Sequence, residues 1–424
     1  MRSDITTVVV LNDFCHVQGG ASRIAIDEAV ALSARGLEVI FLGASGPVGP
    51  ELRDSAVRTL CLQQPQLADV GRRPGVALQG LWNGAAGRRM AVLLGGLNPA
   101  RTIVHLHGYT KSITTSPLRA ALNAGFPVVH TLHDYFAMCP SGNYYDYVRE
   151  QPCRLEGLSA ACIATRCDKR NHAHKLYRVV RGALQRWPGL MPQGIEDFIM
   201  LSRRCELLLR PRLPPTARIH QLGNIVDVER RQPVDVATNR ELVFVGRLDP
   251  EKGVQLLLDA ADRAAVSLVF VGDGPLRDAV EARGRHRVTG WLAAGQVREQ
   301  LRRARCLVFP SRWHETFGMV VSEAAALGVP AIVSDVSGAA ERVRHGITGL
   351  VFRSADCGQL AACLAATRDA DLMSVMGING YTVFWSAPPT REHHVQELLA
   401  IYGRMLEARL PAGVARSSAP REAG

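Results

Sequence analysis

The stretch SRWHETFGMVVSEAAALGVPAIVSD, Ser311–Asp335, decides how this chain is read. Its end, VPAIVSD, has the apolar character of a strand covered on both faces in a parallel sheet. Its middle is an apolar helical pattern. Glu315 lies just before that pattern, Glu323 inside it, and Gly318 between them. With a helix starting near Phe317–Gly318, Glu315 falls in the preceding loop and Glu323 in the second turn. The unpaired N–H groups at such a start, aided by the helix dipole, form an anion site. Gly318 lets a phosphate approach the backbone. Carboxylates on either side are good acceptors for paired hydroxyls. A nucleotide diphosphate sugar fits: diphosphate on the helix start, ribose toward Glu323, hexose toward Glu315. A capping acid plus an unrelated surface acid explains the same residues equally well when the stretch is taken alone.

The surrounding sequence has a repeating α/β grammar. TTVVVLN (6–12) reads as a buried strand, Gly19 and Gly20 as a loop, and the segment from Ser22 to Gly36 as a helix followed by the strand LEVIFLG (37–43). TIVHLHG (102–108) and PVVHTLHDY (127–135) read as further strands that end in histidines. ELVFVGRL (241–248), VSLVFVGDGP, CLVFPS (306–311), VPAIVSD (329–335) and TGLVF (348–352) repeat the pattern with helices between. Two such series predict two doubly wound domains with a cleft, joined near HQLGNIVDVERRQP (220–233). Ligands of these sheets gather at the carboxyl ends of the strands. Gly19, His107, His133, Arg247 and Glu315 all fall there. The segment GRLDPEKG places Arg247 after a strand and Lys252 five residues later. Two cations so placed can straddle a diphosphate and neutralise a leaving nucleotide.

Bulk properties agree. A chain of 424 residues predicts two domains of about 200 residues each. Hydrophobic residues make up 47% and charged ones 21%, which excludes a disordered chain. The net charge of +11 favours anionic partners. The start, MRSDITTVVVLNDF, does not read as a signal peptide, and no apolar run is long enough to span a bilayer. The expected location is the cytoplasm, with ten reduced cysteines. No G-x-G-x-x-G follows the first strand, which argues against a nicotinamide oxidoreductase. Asp369 and Asp371 form a D-x-D, but their polar setting reads as a helix cap, not a metal site.

The combination GRLDPEKG…VGDGP…HETFGMVVSEAAALGVPAIVSD…GITGLVF resembles glycosyltransferase family 4, the retaining nucleotide-sugar transferases of the GT-B fold. The resemblance covers essentially the whole chain. It is strong over 241–352 and extends to GGASR, HLHGY, TLHDYFAMCPSG and GNIVD in the first half, as in an HDY…CP subset active in polysaccharide biosynthesis. It implies an α/β protein with an acceptor domain (1–225), a donor domain (226–385), a C-terminal helix returning to the first domain (386–410) and a disordered tail (411–424). It implies that Arg247 and Lys252 hold the donor diphosphate, Glu315 the transferred sugar and Glu323 the ribose. Gly19 and Gly20 face the phosphates, Phe317, Gly318 and Met319 form the helix start, and His133 is the active-site histidine. His107 becomes a sugar or acceptor contact. The catalytic set is then His133, Glu315, Arg247 and Lys252. No cofactor or donor-site metal is expected to be required, and the expected acceptor is a glycan or a lipid-linked glycan. A non-catalytic sugar-nucleotide-binding subunit and a GT-B epimerase are the alternatives.

Two features are left over. Cys139, Cys153, Cys162 and Cys167 occur at spacings of 14, 9 and 5, open to a Zn²⁺ role but without tight C-x₂-C pairs. Residues 161–220 hold twelve Lys/Arg and four Asp/Glu, a surplus of eight. Within them, KLYRVVRGALQRW sets Leu176, Val180, Ala183 and Trp187 on one helical face and Lys175, Arg178, Arg181 and Arg186 around the other. This suits either a helix lying on an anionic membrane at the inner face of the cell or one packed on its own domain. No nucleic-acid signature accompanies the charge.

Overall fold

A computed structural model describes residues 5–65 and 74–409. The expected tail, 411–424, lies outside these residues. The strand β1 (Thr7–Phe14) is buried at every position, which only a central strand covered on both faces requires. It pairs in parallel with β2 (Glu38–Ser45), which continues to β3 (Arg58–Cys61). On its other side follow β4 (Thr102–Leu106) and β5 (Val128–Thr131). A small antiparallel pair, β6 (Tyr145–Asp146) and β7 (Gln151–Pro152), interrupts the series before β8 (Asp197–Met200) and β9 (Arg218–Gln221) complete a seven-stranded sheet. Its order is β3-β2-β1-β4-β5-β8-β9.

The second sheet has six parallel strands: β10 (Glu241–Val245), β11 (Leu268–Val271), β12 (Arg287–Gly290), β13 (Ala304–Phe309), β14 (Ala331–Ser334) and β15 (Gly349–Phe352). Their order is β12-β11-β10-β13-β14-β15. In each sheet the order reverses beside the first strand of the series, which opens a crevice at the carboxyl ends. Gly272 sits at such an end with φ +138°, and a Cβ there would run into the Gly246 carbonyl. β3, β8, β9 and β12 are not anticipated from the sequence, because they are short and only partly apolar.

The C-terminal helix, Arg391–Glu407, packs against the first domain. Val395, Leu398, Ile401, Tyr402 and Met405 share a core with Val8, Ala25, Ala29 and Leu32. A polar network reinforces it. Tyr402 Oη lies 2.7 Å from His105 Nδ1, whose Nε2 lies 2.7 Å from the Thr131 hydroxyl. His394 meets Glu28 at 2.9 Å and the Gly223 carbonyl at 2.9 Å. Burial, reinforced by the neighbouring His107, holds His105 well below the usual histidine range and pushes His130 down to about 3.

Two outcomes follow from this packing. Leu398→Ala should cost about 2–5 kcal/mol in denaturant unfolding, and an unchanged midpoint would show that the helix is dispensable. His105 and His130 stay neutral when folded, so below pH 6.5 the unfolded chain binds protons that the folded chain does not. Stability is therefore complete above that pH and is lost as pH falls from 6.5 toward 3. Each group adds a slope of about 1.4 kcal/mol per pH unit. His130→Gln should flatten that slope in urea titrations compared between pH about 7 and about 5.

Candidate active site

The second domain supplies a loop and a helix. After β10, Arg247 emerges at the mouth of the crevice with a half-exposed side chain. Its Nη1 lies 2.8 Å from Asp249 Oδ2, and its Nη2 donates to Glu251 Oε1 at 3.2 Å. Asp249 and Glu251 are nearly inaccessible to water. Lys169 of the first domain reaches across to them, 2.6 Å from Asp249 and 3.8 Å from Glu251. A 3₁₀ turn, Pro250–Lys252, then carries Lys252 inward. Its ammonium donates to Glu315 Oε2 at 2.6 Å and lies 5.3 Å from the Trp313 ring centre. The Ser311 hydroxyl donates to the same Glu315 oxygen at 3.3 Å.

The helix after Glu315 runs Met319–Ala326 from Gly318, whose left-handed φ of +78° suits glycine. A Cβ there would lie 2.6 Å from Ala339 Cβ. No side chain caps this helix start. Glu323 occupies its second turn with no hydrogen-bond partner among the described residues, and burial raises its carboxyl pKa, with Arg298 partly opposing. In the first domain the opening helix, Gly20–Ala34, also starts without a side-chain cap. Gly20 is thus the first helical residue rather than a loop residue. A Cβ on Gly20 would lie 3.7 Å from Met319 Sδ, so the two uncapped helix starts face one another across the cleft.

His133 follows β5 at the cleft wall. Its Nε2 lies 2.9 Å from His107 Nδ1, with the rings stacked at 5.2 Å. His107 Nε2 in turn lies 3.4 Å from Glu28 Oε2. Burial, followed by the charge of His107, holds His133 well below the usual histidine range, so it is neutral near pH 7. Burial alone would raise Glu28, but His107 and His394 hold it well below the usual carboxylate range. The Thr316 hydroxyl donates to the His133 carbonyl at 3.1 Å, tying the histidine wall to the Glu315 loop.

The structure therefore gathers Lys252, Glu315, Gly318, Met319 and Gly20 at the cleft, with His133 and His107 on its far wall. Phe317 departs from the expected donor contact. Its ring is buried between the domains with Leu201 and Val226, and the Arg342 guanidinium lies 3.5 Å from its centre. Its carbonyl also accepts from Arg342 Nη1 at 3.1 Å. Asp369 caps the helix Ala370–Ser386, accepting from Leu372 N–H at 2.9 Å, as expected of a helix cap. The four cysteines lie on the first domain as free thiols. Among the described residues, the set offering three ligand atoms within 4.8 Å of one another is Glu28, His105 and His107.

Sequence reasoning misses Glu28, Trp313, Lys169, Asp249 and Glu251. The two loop acids stand inside GRLDPEKG itself, where nothing local says that they are buried. The helix His172–Arg186 does not pack on its domain through the apolar face. Lys175 and Arg181 are buried, and Arg181 donates to the Thr110 carbonyl at 2.8 Å. Arg178 binds Asp168 at 3.2 Å. Leu176, Val180 and Trp187 are the exposed side chains, at 43%, 50% and 70%. No described helix is long and apolar enough to cross a membrane.

A family model for glycosyltransferase family 4 matches residues 18–230, half of the chain, and one for glycosyl transferases group 1 matches residues 239–368. Glycogen synthase from Mycobacterium tuberculosis is 35% identical over 141 residues, which is 30% of this chain and 34% of that protein. The chain spans 20% to 34% of the length of the first curated relatives it matches. Sucrose-phosphate synthase from Thermosynechococcus elongatus superimposes with a TM-score of 0.68 at 19% identity, covering 95% of this chain and 100% of that one. Anabaena HepE in complex with UDP-glucose gives 0.64 at 17% identity, covering 94% and 99%. Two facing Rossmann-like domains form the GT-B fold, and this chain belongs to glycosyltransferase family 4.

Proposed function

We propose that the protein transfers a sugar from a nucleoside diphosphate sugar to a hydroxyl of a glycan acceptor, with retention at the anomeric carbon, in polysaccharide biosynthesis. The observation that carries this reading is the Lys252–Glu315 pair beside one uncapped helix start and opposite another. Diphosphate oxygens between the two starts would meet backbone N–H groups from both domains. Lys252 would exchange Glu315 for phosphate, and Arg247 would approach from the mouth. Glu315, released from the ammonium, would accept hydrogen bonds from the sugar hydroxyls, and Glu323 from the ribose. As the bond from the anomeric carbon to the diphosphate breaks, negative charge grows where these donors already point. The acceptor oxygen bonds to that carbon on the same face, and its proton passes to the departing phosphate oxygen. Neutral His133 would hold a hydroxyl in place, its ring fixed through His107 by Glu28. Cations and helix ends supply the charge stabilisation in this scheme, so the donor site is assigned no metal. The HepE complex makes UDP-sugars the first donors to try.

Exposure of Leu176, Val180 and Trp187 supports a peripheral contact with a lipid surface carrying the acceptor. Because Lys175, Arg178 and Arg181 point inward, this contact would be mainly apolar.

Glu315→Gln should lower kcat/KM for sugar transfer by about 10²–10³-fold with an unchanged far-UV spectrum. Wild-type turnover in that variant would sink the donor assignment. In sedimentation with neutral and anionic vesicles, the wild type should bind both, and a Val180→Ser, Trp187→Ser double variant neither. Binding by the wild type that needs anionic lipid would mean that charge, not the apolar face, drives association.

A further inference from the structure

The sugar-transfer scheme leaves one buried reactive pair unused. Lys175 is wholly inaccessible to water. Its ammonium donates to Cys167 Sγ at 3.1 Å and to Cys162 Sγ at 3.5 Å. Among the described residues no carboxylate pairs with it, and Asp168, the nearest acid in sequence, meets His174 and Arg178 instead, each at 3.2 Å. A metal does not account for the arrangement. Among the described residues no three of the sulfurs of Cys139, Cys153, Cys162 and Cys167 lie within 4.8 Å of one another, so they do not fit the zinc ion that their spacing left open.

We propose that Cys167 and Lys175 are a redox-modification site, at which peroxide joins the two side chains through one oxygen atom into a reversible sulfur–oxygen–nitrogen cross-link.

A buried ammonium that faces sulfur and no carboxylate is costly unless the sulfur carries negative charge. A neighbouring ammonium in turn favours thiolate, the form that peroxide oxidises. Cys167 keeps 5% of its surface exposed, a window for a water-sized oxidant but not for a bulky thiol. The group waiting beside the oxidised sulfur is then the Lys175 nitrogen. One peroxide converts the Cys167 thiol to sulfenic acid and releases water. A second peroxide completes the link: the sulfenic O–H and one N–H bond of the amine break, an O–N bond forms, and the two hydrogens leave with the peroxide oxygens as two waters. The distance selects this product. An oxygen set between nitrogen and sulfur spans most of the present 3.1 Å, whereas a direct N–S bond needs the two atoms to move much closer.

The link would staple the loop after the short helix Ala160–Ala164 to the helix His172–Arg186. The closed segment contains Lys169, which reaches Asp249 and Glu251 across the cleft.

The test is peptide mass mapping of the full chain, reduced, freed of reductant, treated with hydrogen peroxide and digested without a thiol. The expected product joins the peptides carrying Cys167 and Lys175, with one oxygen more and two hydrogens fewer than their reduced sum. Dithiothreitol should return both peptides unmodified. Lys175→Arg should lose the joined species, and if that variant does not fold, the wild-type map decides alone. A Cys162–Cys167 disulfide, a direct S–N link without the added oxygen, Cys167 oxidised with Lys175 free, or an unreacted Cys167 would each overturn the proposal. So would the same joined mass in Lys175→Arg, which would place the nitrogen elsewhere.

Discussion

Asp249 and Glu251 are withdrawn from water, yet each meets a cation from both domains: Arg247 from their own and Lys169 from the other. Removing either cation would leave buried negative charge poorly compensated, a far larger penalty than losing an exposed pair. The loop between β10 and the following helix is therefore held in one shape. Lys252 sits at its end, and its distance from Glu315 is a consequence of that shape. The domains are also tied through Thr316 to the His133 carbonyl and through Arg342 to the Leu201 carbonyl.

The far wall of the cleft is built on a different economy. Glu28, His105, His107, His133 and His394 form a largely buried cluster of polar groups in close contact, closed by Tyr402. Two of its members, His394 and Tyr402, come from the C-terminal helix. The same contacts that hold that helix in place thus fix the orientation of His133. Glu28 stands among three of these histidines, and burial holds His105 and His133 well below the usual histidine range, an arrangement that a surface histidine would not keep.

The helix His172–Arg186 shows how tertiary structure overrides a pattern. Its periodic apolar face suggests burial, but the structure beneath it presents sulfur and carbonyl acceptors. Cationic side chains turn inward to satisfy those acceptors, and the apolar residues are left outside.

The sequence by itself determined the two doubly wound sheets, the helix start at Gly318 and the order of the motifs, because these rest on periodicity and glycine geometry that are local. Short strands such as β9 were not legible, since pairing rather than composition makes them strands. The acids Asp249, Glu251 and Glu28 were visible as letters but not as buried groups. Burial is a property of what packs against a residue, and their partners Lys169, His107 and His394 lie far away in the chain. Only the tertiary structure placed Lys252 on Glu315, turned Phe317 into the seam between the domains and set Lys175 among the cysteines. Those outcomes depend on how the two domains and their connecting segments satisfy charge out of water, which no local pattern encodes.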